Sequence, residues 1–389
     1  MKDVMLVGGG RWQIDMLRYL QSKGHKVWIV NPLSTSTTDA ADYWIREDTR
    51  HFQVIEERIR SLGLQLQFIT SDQSDVGAYS AAVLSQNFGL RGNKPEAVNR
   101  FFNKLAMYKF AEKIGVPVAP FAACSCTEDV KAFGREYGFP IVVKPADGTA
   151  SRGFSKVDNM DGVSKSVEKC RQFTTNQDFV VQKFVPGTEY TVEGIASGYK
   201  HKSLTASRKQ HFRTGIARRL QYPGDIPDVV YESNNKFVEE SGLRFAITHA
   251  EYMVNEHGYF LMEIAARGGG VSIASDIIRL TTGIDILYDI IYNELCGGVP
   301  FDVSKLEPAR NHVALQFFEF PIGEVVSFDE IPKLPGIFRF EYNFKLNSFL
   351  QPALTDSQRH SYAIVTGDTV DILEANITAI REALRVCVK

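Results

Sequence analysis

Cysteine is scarce in this 389-residue chain, which has five cysteines, an odd number, scattered along its length. None has the spacing of a zinc site, since a single residue separates Cys124 from Cys126 where zinc motifs have two or more. The sequence therefore argues against a disulfide-built scaffold and a cysteine zinc centre. Such sparse thiols are typical of a reducing compartment, and we expect a cytoplasmic protein.

An excess of charge of either sign is also lacking. The chain has 44 Lys and Arg against 46 Asp and Glu, a formal net charge of −2. This balance gives no electrostatic case for binding nucleic acid or a membrane surface. No apolar run approaches the length of a membrane span, and the N-terminus enters the apolar segment 4–7 without the layout of a signal peptide. The length suggests two or three domains.

The first 94 residues alternate predicted strands and helices, a rhythm that predicts a parallel βαβ sheet. The turn Gly8-Gly9-Gly10 invites comparison with a dinucleotide-binding loop. The sequence argues against that interpretation and disfavours a nicotinamide dehydrogenase, because Gln13 stands where that loop needs a small residue and Asn31 where an acidic residue is expected. The helix N-terminus after the turn remains able to hold an anion, such as a substrate carboxylate.

The rest of the chain divides into further α/β and α+β segments. A single helix is predicted at about 95–113, a small α+β lobe at about 118–186, and another single helix at 271–295. We predict an N-terminal βαβ domain at 1–94, a central domain at 95–300 that includes the small lobe, and a C-terminal α+β lobe at 301–389.

One segment predicts a β-hairpin with a carboxylate in each arm. The arms are 246–254 and 259–265, joined by a three-residue loop at 256–258. Counting back from that loop, Glu251 lies directly opposite Glu263 on one face. Like charges so placed repel, so a divalent metal between them is one interpretation. Two solvated glutamates on an exposed face are the alternative, and the hairpin alone does not decide.

A second segment places a lysine before a loop of small residues. An apolar strand delivers Lys144, and the loop 147–153 has few side chains that would block its backbone N–H groups from phosphate oxygens. An ordinary hairpin loop explains the small residues, but not an inward lysine, which should have a partner.

A third segment, further along the chain, has Pro186-Gly187 between two strands. This turn exposes backbone groups that can hydrogen-bond to the edge of an adenine, and Glu189 after it can accept hydrogen bonds from ribose hydroxyls. A plain strand–turn–strand explains that segment equally well.

The ordered motifs over residues 1–300 resemble the ATP-grasp superfamily, most closely the L-amino-acid ligases and related carbamoyl-phosphate-synthetase-like carboxylate–amine ligases. The segments that carry the resemblance are Asn103-Lys104, Val143-Lys144-Pro145 with its loop, Gln182 to Glu189, Glu251, and Glu263 to Gly270. The resemblance implies ATP-phosphate contacts for Lys104 and Lys144, a lid containing Ser151 and Gly153, adenine contacts for Gln182, Lys183 and Val185, ribose contacts for Glu189, Mg²⁺ (or Mn²⁺) ligation by Glu251 and Glu263, and a catalytic role for Arg267 beside Lys144.

One departure from the family pattern concerns the metal site. Many members carry Asn two residues after the second glutamate, where this chain has Ala265, so the number of metal ions stays open. In the basic stretch 207–219, the candidates to face phosphate or substrate are Arg208, Lys209, Arg218 and Arg219, and each is equally well explained as solvated. His249 shares a strand face with Glu251, and we expect a satisfied core histidine there.

The resemblance implies an ATP-grasp fold and an ATP-dependent ligation. A substrate carboxylate would become an acyl phosphate, and an amine would displace the phosphate to form an amide or peptide bond. We expect ATP and Mg²⁺ as cofactors, small-molecule carboxylate and amine substrates with amino acids among the candidates, and neither nucleic acid nor membrane as a partner. A homodimer is left open. Three alternatives remain: a bicarbonate-activating carboxylase, a non-catalytic nucleotide-binding protein and a nicotinamide dehydrogenase, which Gln13 and Asn31 disfavour.

Overall fold

The N-terminal segment alternates strands and helices as its sequence predicts. The computed structural model describes residues 2–148, 151–174, 177–331 and 333–389. The first elements are β1 (Asp3–Val7), α1 (Ile14–Ser22), β2 (Val27–Val30), α2 (Ser36–Ala40), β3 (Tyr43–Ile45), α3 (Phe52–Ser61), β4 (Leu66–Thr70) and α4 (Asp75–Asn87). The strands form a parallel sheet in the order β3-β2-β1-β4, which confirms the βαβ prediction.

The helix predicted at 95–113 is wrong as a single element. It consists of α5 (Pro95–Phe102) and α6 (Lys104–Ile114), separated at Asn103, whose backbone is extended with φ −97° and ψ 116°. The Asn103 side chain accepts hydrogen bonds from the backbone N–H groups of Leu105 and Ala106 and so caps α6. The break places Lys104 in the first turn of a new helix, where its backbone N–H donates to Ala146 O at 2.8 Å.

The small lobe, called the lid lobe below, has its own sheet and core. Its elements are β5 (Phe121–Cys124), α7 (Thr127–Tyr137), β6 (Ile141–Pro145), β7 (Ser155–Val157), α8 (Val163–Arg171) and β8 (Phe179–Lys183). The strands pair antiparallel in the order β5-β8-β6-β7. Apolar side chains from the sheet, including Ile141 and Val181, pack with Val130 and Val167 of the two helices. The end of β6 is thereby held firmly, and Lys144 lies on it.

An eight-stranded antiparallel sheet forms the floor of the molecule. The remaining elements are β9 (Thr188–Ser197), β10 (Lys200–Arg213), β11 (Ile216–Tyr222), α9 (Asp228–Glu240), β12 (Ala246–Asn255), β13 (Gly258–Ala265), α10 (Ile278–Thr282), α11 (Leu287–Leu295), β14 (His312–Phe318), β15 (Gly323–Phe328), β16 (Ile337–Tyr342), β17 (Phe349–Leu350), β18 (Ser361–Gly367), α12 (Val370–Ala383) and β19 (Val386–Val388). The sheet order is β13-β12-β9-β10-β11-β14-β18-β16, and β17-β15-β19 form a separate small sheet.

The C-terminal strands continue the central sheet. Strands β14, β18 and β16 extend it beyond β11, so the predicted boundary at residue 300 divides strands that belong to one continuous sheet.

The single helix predicted at 271–295 is wrong, because a π turn (Ile273–Ile277), α10 and α11 replace it. Gly283, with φ +73°, ends α10 in a left-handed cap. No helix among the described residues has the length and apolar character needed to cross a membrane.

Candidate active site

The hairpin of β12 and β13 brings two glutamates face to face. Its loop has two residues, so Asn255 pairs with Gly258, and the predicted three-residue loop is wrong. A bulge beyond Tyr252 adds one residue to β13 and restores the predicted register, in which Glu251 pairs with Glu263. The two carboxylates therefore share one face of the sheet, where their repulsion must be offset.

Lys104 offsets the charge of Glu263 from the start of α6. Its Nζ lies 3.1 Å from Glu263 Oε1 and donates to Gly148 O at 2.7 Å. Gly148 belongs to the loop that follows β6, so a single buried ammonium joins the lid lobe to the hairpin.

Lys209 offsets the charge of Glu251 from β10, which lies two strands away from β12 in the sheet. Its Nζ lies 2.8 Å from Glu251 Oε1 and 2.5 Å from Glu189 Oε1. Burial alone would raise the pKa of Glu251, but Lys209 and other neighbours hold that pKa well below its ordinary value. His211, whose Nε2 lies 3.0 Å from Glu189 Oε2, closes the group from the same strand. Glu251 is thus kept as a carboxylate at neutral pH.

Lys144 lies beside these ion pairs and has neutral partners. Its Nζ donates to Tyr108 OH at 2.7 Å and to Gln182 Oε1 at 3.0 Å. Burial, with the charge of Lys104 added, lowers the pKa of Lys144 to about 7. An anion placed against this amine would raise its pKa again. Lys144 therefore has the environment of a ligand-binding group, because a bound anion would stabilise the protonated form of its amine.

Most of the predicted site residues line a single cleft. Those on its wall are Lys104, Lys144, Ser151, Val185, Glu189, Glu251, Glu263 and Arg267. The other three are not among its described lining residues. Gln182 is completely buried beneath Lys144, and Lys183 Nζ donates to Gly138 O at 3.0 Å on the α7 side of the lid lobe. Gly153 has φ +75° in the loop after Ser151.

The loop after β6 reaches over the cleft to the opposite wall. Ser151 Oγ donates to Gly215 O, in the turn between β10 and β11, at 3.2 Å. Thr149 and Ala150, which belong to the predicted lid loop 147–153, lie outside the described residues. The cleft beneath has a volume of about 1250 Å³. Pockets for one small ligand measure roughly 300–1,000 Å³, so there is room for a nucleotide and a second small molecule.

Arg267 has a partner that the sequence did not reveal. Its Nε and Nη2 lie 2.9 and 3.0 Å from the two carboxylate oxygens of Asp75, a bidentate ion pair. Asp75 is the first residue of α4, in the N-terminal domain, and 192 positions separate it from Arg267. The pair fixes the guanidinium against the end of the parallel sheet while leaving the side chain on the cleft wall.

A second acid missed from the sequence stands behind Glu251. Glu193 is completely buried on β9, and both of its oxygens lie about 3 Å from His249 Nδ1, at 2.9 and 3.0 Å. His249 Nε2 is 3.8 Å from Glu251 Oε1. Burial alone would lower the pKa of His249, but the charge of Glu193 raises that pKa to about 9. His249 is a satisfied histidine, as predicted, and its partners also orient it toward the site.

The four basic candidates of the 207–219 stretch separate into two groups. Lys209 and Arg208 line the cleft. Arg218 Nη2 instead donates to Gln210 Oε1 at an exposed position, and Arg219 Nε donates to Gln316 Oε1 in a buried one. Arg219 lies on the sheet face opposite the one that carries Lys209, because it pairs with Gln210 and Gln316 whereas Lys209 pairs with Leu220.

The glutamate pair fits a magnesium ion that is also held by phosphates. No group of three or more His, Cys, Asp or Glu side chains arranged to hold a metal occurs in the described part of the chain. Magnesium, however, is commonly bound by one or two carboxylates with substrate phosphates and water completing its octahedron. Glu251 and Glu263 supply that number of hard oxygen ligands, and Ala265 supplies none.

Comparison with known proteins assigns the domain. Residues 101–246 match the family model of the ATP-grasp domain. The L-amino acid ligase of Bacillus licheniformis has the same fold, with a TM-score of 0.82 at 15% identity over 100% of this chain and 99% of that one. The biotin carboxylase domain of the Hydrogenobacter thermophilus 2-oxoglutarate carboxylase, solved with MgADP, ADP and bicarbonate, gives 0.77 at 16% identity over 100% and 92%. The chain thus contains an ATP-grasp domain and has the ATP-grasp fold, which confirms the superfamily predicted from its motifs.

Sequence relatives are distant and longer than this chain. It is 24% identical over 307 residues to the uncharacterized protein y4rH of Sinorhizobium fredii, a match covering 75% of this chain and 62% of that protein. It is 26% identical over 211 residues to the pyruvate carboxylase of Aspergillus niger, covering 50% of this chain and 17% of the relative. The chain therefore spans less than two thirds of the length of both proteins.

Proposed function

We propose that this protein is a cytoplasmic ATP-dependent carboxylate–amine ligase that forms an amide or peptide bond and releases ADP and phosphate. The observation that carries the proposal is the opposed pair Glu251 and Glu263 on the floor of the cleft beneath the lid lobe. Each of the two glutamates forms an ion pair with a lysine. The fold shared with an L-amino acid ligase supports it.

The reaction needs positioning and charge neutralisation rather than a nucleophilic side chain. A substrate carboxylate oxygen attacks the γ-phosphorus of ATP, and the bond to the bridging oxygen breaks to release ADP. An amine nitrogen then attacks the acyl carbon, phosphate leaves, and the amine loses a proton to water. Mg²⁺, bound by Glu251 and Glu263, would supply neutralisation of the phosphate charge.

Three lysines and Arg267 have distinct parts in this scheme. Lys104 and Lys144 bind the phosphates from the lid side, and Lys209 does so from the floor. Arg267, oriented by Asp75, binds the substrate carboxylate or the acyl phosphate. Closure of the lid lobe excludes water, which would otherwise hydrolyse the acyl phosphate.

The test is release of ADP over a panel of amino acids and other carboxylates, each with and without an amine. We expect turnover that requires a carboxylate and yields an amide product when the amine is present. Glu263→Gln should lower turnover by at least about a hundredfold, as removal of a preorganised charge commonly does. Glu256→Gln is the matched control, because Glu256 lies in the loop of the same hairpin with its side chain 85% exposed. Equal activity of both variants would contradict the proposal.

A bicarbonate-activating carboxylase is the second candidate, favoured by the pyruvate carboxylase match. It predicts ADP release that depends on bicarbonate rather than on an organic carboxylate. The same panel run with and without added bicarbonate separates the two. Nucleotide binding without ADP release under any condition would instead indicate a non-catalytic nucleotide-binding protein.

A further inference from the structure

One wall of the cleft has no part in the scheme above. It consists of two arginines and three aromatic residues, here called the arginine wall: Arg11, Trp12, Phe317, Arg359 and Tyr362. Arg11 and Trp12 follow the Gly8-Gly9-Gly10 turn of the N-terminal domain, whereas the other three come from the C-terminal strands and the loop between them.

Aromatic rings hold both guanidinium groups in place. The guanidinium carbon of Arg11 is 4.0 Å from the centroid of the Trp12 ring, and that of Arg359 is 3.5 Å from the Phe317 ring. The Tyr362 ring packs between the Trp12 and Phe317 rings, with centroid distances of 5.6 Å to Trp12 and 6.5 Å to Phe317. A guanidinium held over a ring keeps its N–H groups at the edge available for an anion.

The arginine wall has more positive than negative charge. Arg359 Nη1 lies 3.0 Å from Asp356 Oδ1, but no carboxylate among the described residues lies within 4.0 Å of Arg11, whose Nη2 donates to Asn343 Oδ1 at 2.9 Å. The whole cleft shows the same excess, with ten Lys and Arg against six Asp and Glu among its described lining residues. This excess occurs in a chain whose net charge is −2, so the positive charge is concentrated in the cleft.

The wall adjoins the proposed reaction centre on two sides. Gln73 Nε2 donates to Trp12 O at 2.8 Å, and Gln73 lies two positions before Asp75, the partner of Arg267. On the other side, Asp356 Oδ1 accepts a hydrogen bond from Ala217 N of β11 at 3.4 Å, and β11 pairs with β10, the strand of Lys209. Arg267, Lys209 and the arginine wall line the same cleft, so a single substrate bound there can contact the reaction centre with one end and the wall with the other.

We propose that the arginine wall binds an anionic group of a small substrate, a group distinct from the carboxylate that is activated. The inference rests on the proposed ligase function and narrows its substrates to acidic ones. Their second anionic group is a carboxylate, as in a dicarboxylic amino acid, or a phosphate, as in a phosphorylated amino acid. Planar guanidinium groups bind both through paired N–H···O contacts.

The experiment compares acidic probes with their neutral counterparts. The pairs are glutamate and glutamine, aspartate and asparagine, and phosphoserine and serine, each tested for ADP release and, separately, for binding by calorimetry. The variant is Arg11→Gln, which replaces an exposed arginine with a neutral polar side chain; its circular dichroism and melting temperature are compared with those of the wild type. Arg18→Gln is the matched control, since Arg18 is an exposed arginine of α1 outside the cleft.

We expect the protein to prefer one acidic probe to its neutral partner. Arg11→Gln should raise KM and Kd for that probe by at least about tenfold, the loss of one charge-assisted contact, and leave KM for ATP and the values for the neutral probe unchanged. Arg18→Gln should match the wild type. Whether glutamate, aspartate or phosphoserine responds decides between carboxylate and phosphate.

Two results would overturn the inference while leaving the ligase function intact: equal use of acidic and neutral probes, or an Arg11→Gln effect of the same size on both. A failure of the ligase function alone can also be recognised. Charge-selective binding that Arg11→Gln removes, without ADP release from any probe, supports the anionic subsite and counts against the ligase reaction.

Discussion

The proton on Lys144 is linked to what binds in the cleft, and this linkage can be measured. Burial, with the charge of Lys104, lowers its pKa from 10.5 to about 7, and its two hydrogen-bond partners, Tyr108 and Gln182, are neutral. A nucleotide phosphate placed against the amine would restore a pKa well above 7. At pH 8 the free amine is about 90% deprotonated, so binding of MgADP should take up roughly 0.9 proton.

Isothermal titration calorimetry measures that proton directly. MgADP is titrated at pH 8 in buffers of different ionisation enthalpy, and the slope of the observed enthalpy against the buffer enthalpy gives the number of protons taken up. At pH 8 the nucleotide phosphate is itself almost fully ionised, since its second pKa is about 6. Lys144→Met, which keeps the length of the side chain without the amine, should reduce the slope to near zero. A flat dependence in the wild type, or the same slope in Lys144→Met, would refute the assignment of Lys144 to the phosphates.

The same shift has a consequence for stability, with a definite sign. Between pH 7 and 10.5 the unfolded chain holds a proton on Lys144 that the folded protein has released, so stability rises with pH across this window. The rise amounts to at most about 5 kcal/mol, at 1.36 kcal/mol per pKa unit. Below pH 7, where Lys144 is protonated in both states, burial of its charge lowers the free energy of unfolding by this same amount. Lys144→Met should therefore be more stable than the wild type at pH 6, by denaturant unfolding, and lose this advantage by pH 10.5.

Three further predictions concern residues around the site. Asp75→Asn should lower kcat/KM at least about tenfold with Kd for MgADP unchanged, because it releases Arg267 without touching the nucleotide; an unchanged kcat/KM would contradict this role. Glu294→Gln should lower the free energy of unfolding by about 3–5 kcal/mol, since Glu294 is completely buried and paired with two arginines; a loss below 1 kcal/mol would count against that network. Burial lowers the pKa of His201 to about 4, so stability should fall as pH drops from 6.5 through 4, and the His201→Gln variant should lack this component.

The strand pattern predicted the centre of the site well. The two-residue periodicity placed Glu251 and Glu263 on one face, and the structure confirms it, although the loop length was wrong and a bulge compensates. The same periodicity along β9 puts Glu189, Thr191 and Glu193 on one face, so Glu193 was within reach of sequence reasoning once Glu189 had been singled out.

The errors and omissions have two physical causes, one local and one long-range. Asn103 breaks a helix because its side chain caps the next one, a choice between two local structures that helical periodicity alone does not resolve. The pairing of Arg267 with Asp75, and of Arg359 with Phe317, depends on how domains and distant strands pack. No local pattern in the sequence encodes these contacts, and the arginine wall, which contains Arg359 and Phe317, was therefore not predicted.

The central claim is that Glu251 and Glu263 bind a divalent metal together with the phosphates of a nucleotide. Titration of Mn²⁺ in the presence of ADP, followed by electron paramagnetic resonance of the free ion, tests it without requiring turnover. We predict that ADP creates Mn²⁺ binding in the wild type and in Glu256→Gln, and that Glu263→Gln weakens this binding at least about tenfold. Mn²⁺ binding that is equally strong in Glu263→Gln would contradict the claim.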